Sequence, residues 1–229
     1  AALAEMPDVE KEADRILKQM SDYLDGLNKF SITSHSTIES VLDSGQKIMF
    51  DHYNTGAISR PDKLYFTRKG DAVDQSFYYD GKSFSMLSHP ENLYATVDAP
   101  ANISDTLTWA INQFDLTAPG ADLIGKDSYD KLSNELISGF YVGKGIVDGV
   151  ECHHLAFRNT EVDWQVWIQT GDQPLPKRYV VTSRWTTGSP QFNLEMTWNT
   201  QPDFSDDVFK FTAPEKAEKI ELLSNTVSH

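Results

Sequence analysis

The chain has 229 residues with 20 basic against 34 acidic side chains, a formal charge of −14, and 39% hydrophobic and 11% aromatic residues. That length makes one large domain or two small ones, with core enough to fold without a disulfide or metal, and the apolar share excludes a wholly disordered chain. The acidic balance argues against nucleic acid and anionic membrane surfaces as partners, because both are held by clustered Lys and Arg.

The first residues, Ala1-Ala2-Leu3-Ala4-Glu5-Met6-Pro7, read either as the small-residue end of a signal peptide or as an ordinary terminus. Residues 9–25 carry Val9, Ala13, Ile16, Leu17, Met20 and Leu24, with Leu27 beyond, at spacings of three and four. This predicts a helix with one apolar stripe, Asp8 as its N-cap and Gly26 at its left-handed end. From residue 29 to about 97 the period becomes two and short strands alternate with turns such as Asp43-Ser44-Gly45 and Asp80-Gly81. Residues 102–136 interrupt the strands. Leu107, Ala110, Ile111 and Phe114 predict a short helix capped by Ser104, Ala118-Pro119-Gly120-Ala121 a loop, and Leu132, Leu136 and Ile137 a second helix after Ser128. Alternation then returns through 141–148, 151–158, 162–169, 177–185 and 191–199. About ten or eleven strands joined by turns predict an α+β chain built on one antiparallel sheet. No linker or repeat divides it, so residues 1–229 read as one domain.

Chemical motifs are weak. Gly81-Lys82-Ser83 lacks the earlier glycine of a phosphate loop, and Gly143-Lys144-Gly145 lacks the third glycine of a dinucleotide site. No Gly-x-Ser-x-Gly elbow occurs. Cys152 is the sole cysteine, so there is no intrachain disulfide. Cys152-His153-His154 puts Cys152 and His154 on one strand face, and a metal would need more ligands, from His35 or His52 on other strands. The ordinary half-buried strand reading is favoured over a metal site. Asn102-Ile103-Ser104 fits both a glycosylation acceptor and a helix cap. The expectation is no enzyme, no metal and no cofactor.

The apolar pattern says more. Trp164, Val166 and Ile168 share a parity, as do Tyr179, Val181 and Trp185, and Phe192, Leu194, Met196 and Trp198. Such a face is buried either as a helix-covered core or as the wall of an apolar cavity, and periodicity alone favours the core.

Four stretches in order resemble the outer-membrane lipoprotein carrier (LolA-like) superfamily. They are Leu27-Asn28-Lys29-Phe30, Ile58-Ser59-Arg60-Pro61-Asp62-Lys63-Leu64, Tyr79-Asp80-Gly81-Lys82-Ser83-Phe84, and Phe209-Lys210-Phe211-Thr212-Ala213-Pro214 followed by Ile220. Within that superfamily, residues 139–158, with Asp148-Gly149-Val150-Glu151-Cys152-His153-His154-Leu155, and Val162-Asp163-Trp164-Gln165-Val166-Trp167 resemble an uncharacterised family of predicted periplasmic bacterial proteins. The resemblance implies a strongly curved, open antiparallel half-barrel, with the N-terminal helix and the short helices of 102–136 lidding its concave face. It implies an exported, periplasmic protein whose signal peptide ends before Ala1.

In the carriers the cavity takes acyl chains, and the arginine of the Arg-Pro motif, here Arg60, holds the lid closed. The expected function is therefore a soluble periplasmic binding protein or carrier for a lipid, acyl chain or lipidated protein. By parity the wall is Ile48, Phe50, Leu64, Phe66, Phe77, Trp164, Val166, Tyr179, Val181 and Trp185, with Arg60 as the lid contact. The alternative is a sensor or interaction module that binds an envelope partner protein without cargo. Neither is an integral membrane protein, since no apolar run approaches the roughly 20 residues of a spanning helix.

Overall fold

The computed structural model describes residues 8–71, 73–114 and 120–222. The Ala1–Ala4 stretch read as a signal-peptide end lies outside the described residues, as does Ala118-Pro119 of the loop. The helix α1 (Lys11–Gly26) buries Ala13, Ile16, Leu17, Met20 and Leu24, the stripe that its spacing predicts. Its start differs from expectation. Asp8 and Val9 form a two-residue strand, β1 (Asp8–Val9), pairing with Ser138 and Gly139 of β8 (Ser138–Val147), so Asp8 is a strand residue and not a cap. Its amide donates to the Ile137 carbonyl at 2.9 Å. Gly26 is the last helical residue and is not among the positive-φ glycines.

The strands that follow α1 are β2 (Lys29–Val41), β3 (Lys47–Ser59), β4 (Lys63–Gly70), β5 (Val73–Tyr79), β6 (Ser83–Ser88) and β7 (Leu93–Asp98). Then come α2 (Ile103–Phe114), a 3-10 turn (Ala121–Leu123) and α3 (Ser128–Ser133). After β8 the chain forms β9 (Val150–Arg158), β10 (Val162–Gln169), β11 (Pro176–Ser183), β12 (Gln191–Asn199) and β13 (Glu218–Lys219). The sheet order is β1-β8-β9-β10-β11-β12-β2-β3-β4-β5-β6-β7-β13. The described chain is thus mostly β, with few helices. Both end strands, β1 and β13, pair in parallel, which corrects the expectation of a wholly antiparallel sheet.

Contacts cluster into two units, with β2, β3 and β12 each contributing to both. The first comprises residues 1–26, 36–50 and 126–196. Its register sets Phe157 opposite Trp164, Leu155 opposite Val166, and Val166 opposite Tyr179. The Phe157 and Trp164 rings stack at 4.3 Å, and Trp164 meets Tyr179 edge-on at 5.8 Å. Gly139 has no room for a side chain, because a Cβ there would lie 2.4 Å from the Phe157 ring. The helix α3 is tied to α1 by Tyr129, whose hydroxyl donates to Asp14 at 2.5 Å, and by Ser128, which donates to Asp25 at 3.1 Å. The Asp14 carboxylate holds the Tyr129 proton, pushing its pKa up to about 12. Asp148 and Gly149 both have positive φ, as the tight β8–β9 hairpin turn requires.

The second unit comprises residues 27–35, 51–125 and 197–229. Across β4–β7 its register aligns Leu64, Tyr79, Phe84 and Val97 in one row, and Phe66, Phe77, Met86 and Ala95 in the next. Because successive strand residues face opposite ways, Tyr78 lies on the other face. There Phe211 packs against Tyr78 and Tyr94, with ring centroids 5.3 and 5.2 Å away. On the first face Trp109 of α2 meets Phe84 edge-on at 6.2 Å.

Candidate functional site

Arg60 directly follows β3 and is joined to Pro61 by a cis peptide bond. Its amide donates to the Asn28 carbonyl at 2.8 Å. The guanidinium donates to the carbonyl oxygens of Leu27 at 2.8 Å, Ile124 at 2.6 and 3.2 Å, and Gly125 at 2.6 Å. It also lies over the Phe30 ring, 5.1 Å from the centroid. A planar fork of five N–H donors suits this task, since it can serve several carbonyls at once where an ammonium is a single point charge. One side chain thereby fastens the residues after α1 to the turn that follows α2.

Three of the resembling stretches, residues 27–30, 58–64 and 79–84, are linked to one another here. Pro61 accepts at 2.9 Å from the amide of Ile103, the first residue of α2. Asp62 fills the space beside Gly81, where a Cβ would lie 2.8 Å from its carboxylate oxygen. Gly81 has φ of 93° and no side chain could be added there without strain. Asp80 accepts from the amides of Lys82 at 3.0 Å and Ser83 at 2.8 Å, which closes the β5–β6 hairpin. Lys63 pairs with Asp206, and Lys29 donates to the Phe204 carbonyl at 2.6 Å, anchoring the C-terminal segment. The buried Tyr79 hydroxyl donates to the Pro100 carbonyl at 2.5 Å, just before α2. The cap of α2 is Asn102 and not Ser104: its side-chain oxygen accepts from the Asp105 amide at 2.9 Å. Asn102 fills the cap position one residue before the helix starts at Ile103, whereas Ser104 lies inside it.

The residues expected to line a cavity fall in both units. In the first, Trp164, Val166 and Tyr179 are buried and adjacent in register, Val181 and Phe50 are half-buried, and Ile48 is 37% exposed. Trp185 lies beyond the end of β11, is 72% exposed, and donates from its indole to the Thr160 carbonyl at 2.7 Å. In the second unit, Leu64 is buried, while Phe66 and Phe77 are half-buried and directly paired.

A polar cluster adjoins these last two. Arg68 is in register with Asn54 on β3 and Gln75 on β5, on the face that carries Leu64 and Phe66. Its guanidinium lies 3.3 Å from Nε2 of the buried His52. Burial, then the Arg68 charge, lowers the His52 pKa below the usual histidine value. Sequence reading missed Arg68. The signal was present: a charged residue stands on the apolar parity of Leu64-Tyr65-Phe66-Thr67-Arg68.

The histidines do not assemble with cysteine. His154 stacks on Trp167 at 4.0 Å and bonds Gln165 at 2.9 Å, and His153 bonds Tyr141 at 3.2 Å. His35 pairs with Asp51 at 2.5 Å and stacks on Tyr53. Among the described residues, no three His, Cys, Asp or Glu side chains are placed to hold a metal ion. No helix among them is long and apolar enough to cross a membrane.

Among solved structures, the Mycobacterium tuberculosis lipoprotein LppX is similar at 12% identity, covering 85% of this chain and 98% of its own, with a TM-score of 0.47. LprF from Mycobacterium bovis is similar at 13% identity, covering 91% and 98%, also with a TM-score of 0.47. The LolA superfamily protein NE2245 from Nitrosomonas europaea is similar at 10% identity, covering 87% and 97%, with a TM-score of 0.42. No functionally curated protein matches the sequence. Residues 13–223 match the family described as predicted periplasmic protein (DUF2092), and the chain belongs to that family.

Proposed function

We propose that this protein is a periplasmic binding protein or carrier for an apolar ligand, such as a lipid, an acyl chain or a lipidated protein. The helix α2 and the turn after it act as the lid. The observation that carries this reading is the Arg60 guanidinium, which gathers the carbonyls of Leu27, Ile124 and Gly125 and so latches the lid segment. In the same unit lies an apolar path, Trp109 to Phe84 to Phe77, with Phe77 and Phe66 still half-buried and so able to take more apolar contact. Each methylene buried there contributes about 0.8 kcal/mol, so a long acyl chain binds tightly without a specific polar contact. Release requires the latch to open.

The test is release of a neutral apolar probe, N-phenyl-naphthylamine, from the parent and from Arg60→Leu by stopped-flow fluorescence. Hydrogen bonds to a charged donor contribute about 1.5–3 kcal/mol each, so losing them should speed release by at least about tenfold. Equal uptake and release in both proteins would remove Arg60 from the mechanism.

A second reading, a module that binds an envelope partner protein without cargo, is favoured by β8. Its Phe140, Val142 and Ile146 are 51%, 48% and 74% exposed. In that case the parent takes up no probe at all.

A further inference from the structure

We propose that the ligand is an amphiphile with an anionic head, carboxylate or phosphate, and that Arg68 with His52 binds that head while the tail lies along Phe66, Phe77 and Met86. The inference rests on the apolar-ligand reading and names the class of ligand. Its basis is a cation without an anion. Of the other arginines, Arg15 pairs with Glu12, Arg158 and Arg184 with Asp163, Arg178 with Glu195, and Arg60 with three carbonyls. Among the described residues Arg68 meets neither a carboxylate nor a carbonyl, although it is half-buried and burial holds its pKa below the ordinary arginine value. The nearby acids are otherwise engaged: Asp51 with His35, and Asp71 with the Asp51 amide at 3.1 Å.

His52 does not neutralise the charge. The Arg68 N–H donates to its Nε2, so the ring proton sits on Nδ1, which is buried and has no hydrogen-bond partner among the described residues. His52 Nδ1–H is therefore a buried donor short of an acceptor, which is costly away from water, and the half-buried Arg68 beside it has no anionic partner among the described residues. A carboxylate or phosphate, with several acceptor oxygens, is the complement for the guanidinium fork.

The apolar half is fixed by register. Phe66 stands two residues before Arg68 on the same strand and face, roughly 7 Å along it. Phe66 pairs with Phe77, and Phe77 with Met86, all three half-buried. A cation at the end of a half-covered apolar row is the layout that fits a charged head with a hydrocarbon tail.

The test measures the affinities of hexadecanoate, hexadecanol and acetate for the full chain by titration calorimetry, in the parent, Arg68→Met and Arg68→Lys. Methionine fits the apolar row and removes a half-buried charge that has no anionic partner, so Arg68→Met should melt no lower than the parent. Expected is a preference of at least about tenfold for hexadecanoate over hexadecanol in the parent, lost in Arg68→Met with hexadecanol affinity unchanged, and partly kept in Arg68→Lys. A parent that binds acid and alcohol equally, or a preference that survives Arg68→Met, overturns the headgroup role and leaves the apolar-ligand reading standing. Binding of neither amphiphile overturns both. Acetate bound as tightly as hexadecanoate makes this a small-anion site and overturns the amphiphile. Should Arg68→Met not fold, the acid-to-alcohol ratio in the parent and in Arg68→Lys decides the matter by the same criteria.

Discussion

Arg60 and Arg68 are eight positions apart in sequence, yet one has its donors met by carbonyls from two stretches of chain and the other has a single neutral imidazole. A residue's chemistry is legible from its type; its partners are not. The Arg-Pro pair marked Arg60, but the carbonyls of Ile124 and Gly125 lie more than sixty residues on and leave no local pattern. His52 gives a consequence that titration can read. Burial and the Arg68 charge lower its pKa, burial and Lys144 lower that of His153, and burial, against the bond His154 donates to Gln165, lowers that of His154. Each is held neutral when folded and accepts a proton more readily when unfolded. Their contribution to stability is therefore complete above about pH 6.5 and is lost as pH falls through their lower folded values. The melting temperature should decline between about pH 6.5 and 5, and less so in His52→Gln. A flat profile over that window would contradict the neutral state of these rings.

At the scale of elements, alternation was read well where one face is buried. Trp164, Val166 and Ile168 are 3%, 1% and 0% exposed, on the parity that the sequence marks as apolar. The left-handed turn positions were equally legible, because Gly45, Gly81 and Gly149 all have positive φ, which glycine tolerates without strain. The two-residue strands β1 and β13 were not legible, since two residues carry no period and their pairing depends on a distant sheet edge. The start of α2 shows how a one-residue shift arises: Asn102 and Ser104 are both good caps, and only the bond from the Asp105 amide separates them. Accordingly Asn102→Ala should cost about 1 kcal/mol and raise hydrogen exchange in α2, with Ser104→Ala costing less. The reverse ranking in thermal melts would restore Ser104 as the cap.

For the molecule as a whole, local signals gave the class, mostly β with few helices, and the hairpins, while the sheet order needed the structure. Neighbours such as β4–β5 and β9–β10 follow from short turns, but β12 beside β2 joins segments far apart in the chain, which no dipeptide announces. Apolar-ligand binding, proposed from the Arg60 contacts, is the central claim. Native mass spectrometry of the purified protein tests it most directly, with solvent extraction of whatever is released and titration of the same sample with a neutral long-chain probe. The account predicts a stoichiometric lipid or acyl mass on the protein, or saturable one-to-one uptake of the probe. A bare protein mass together with no uptake would contradict it.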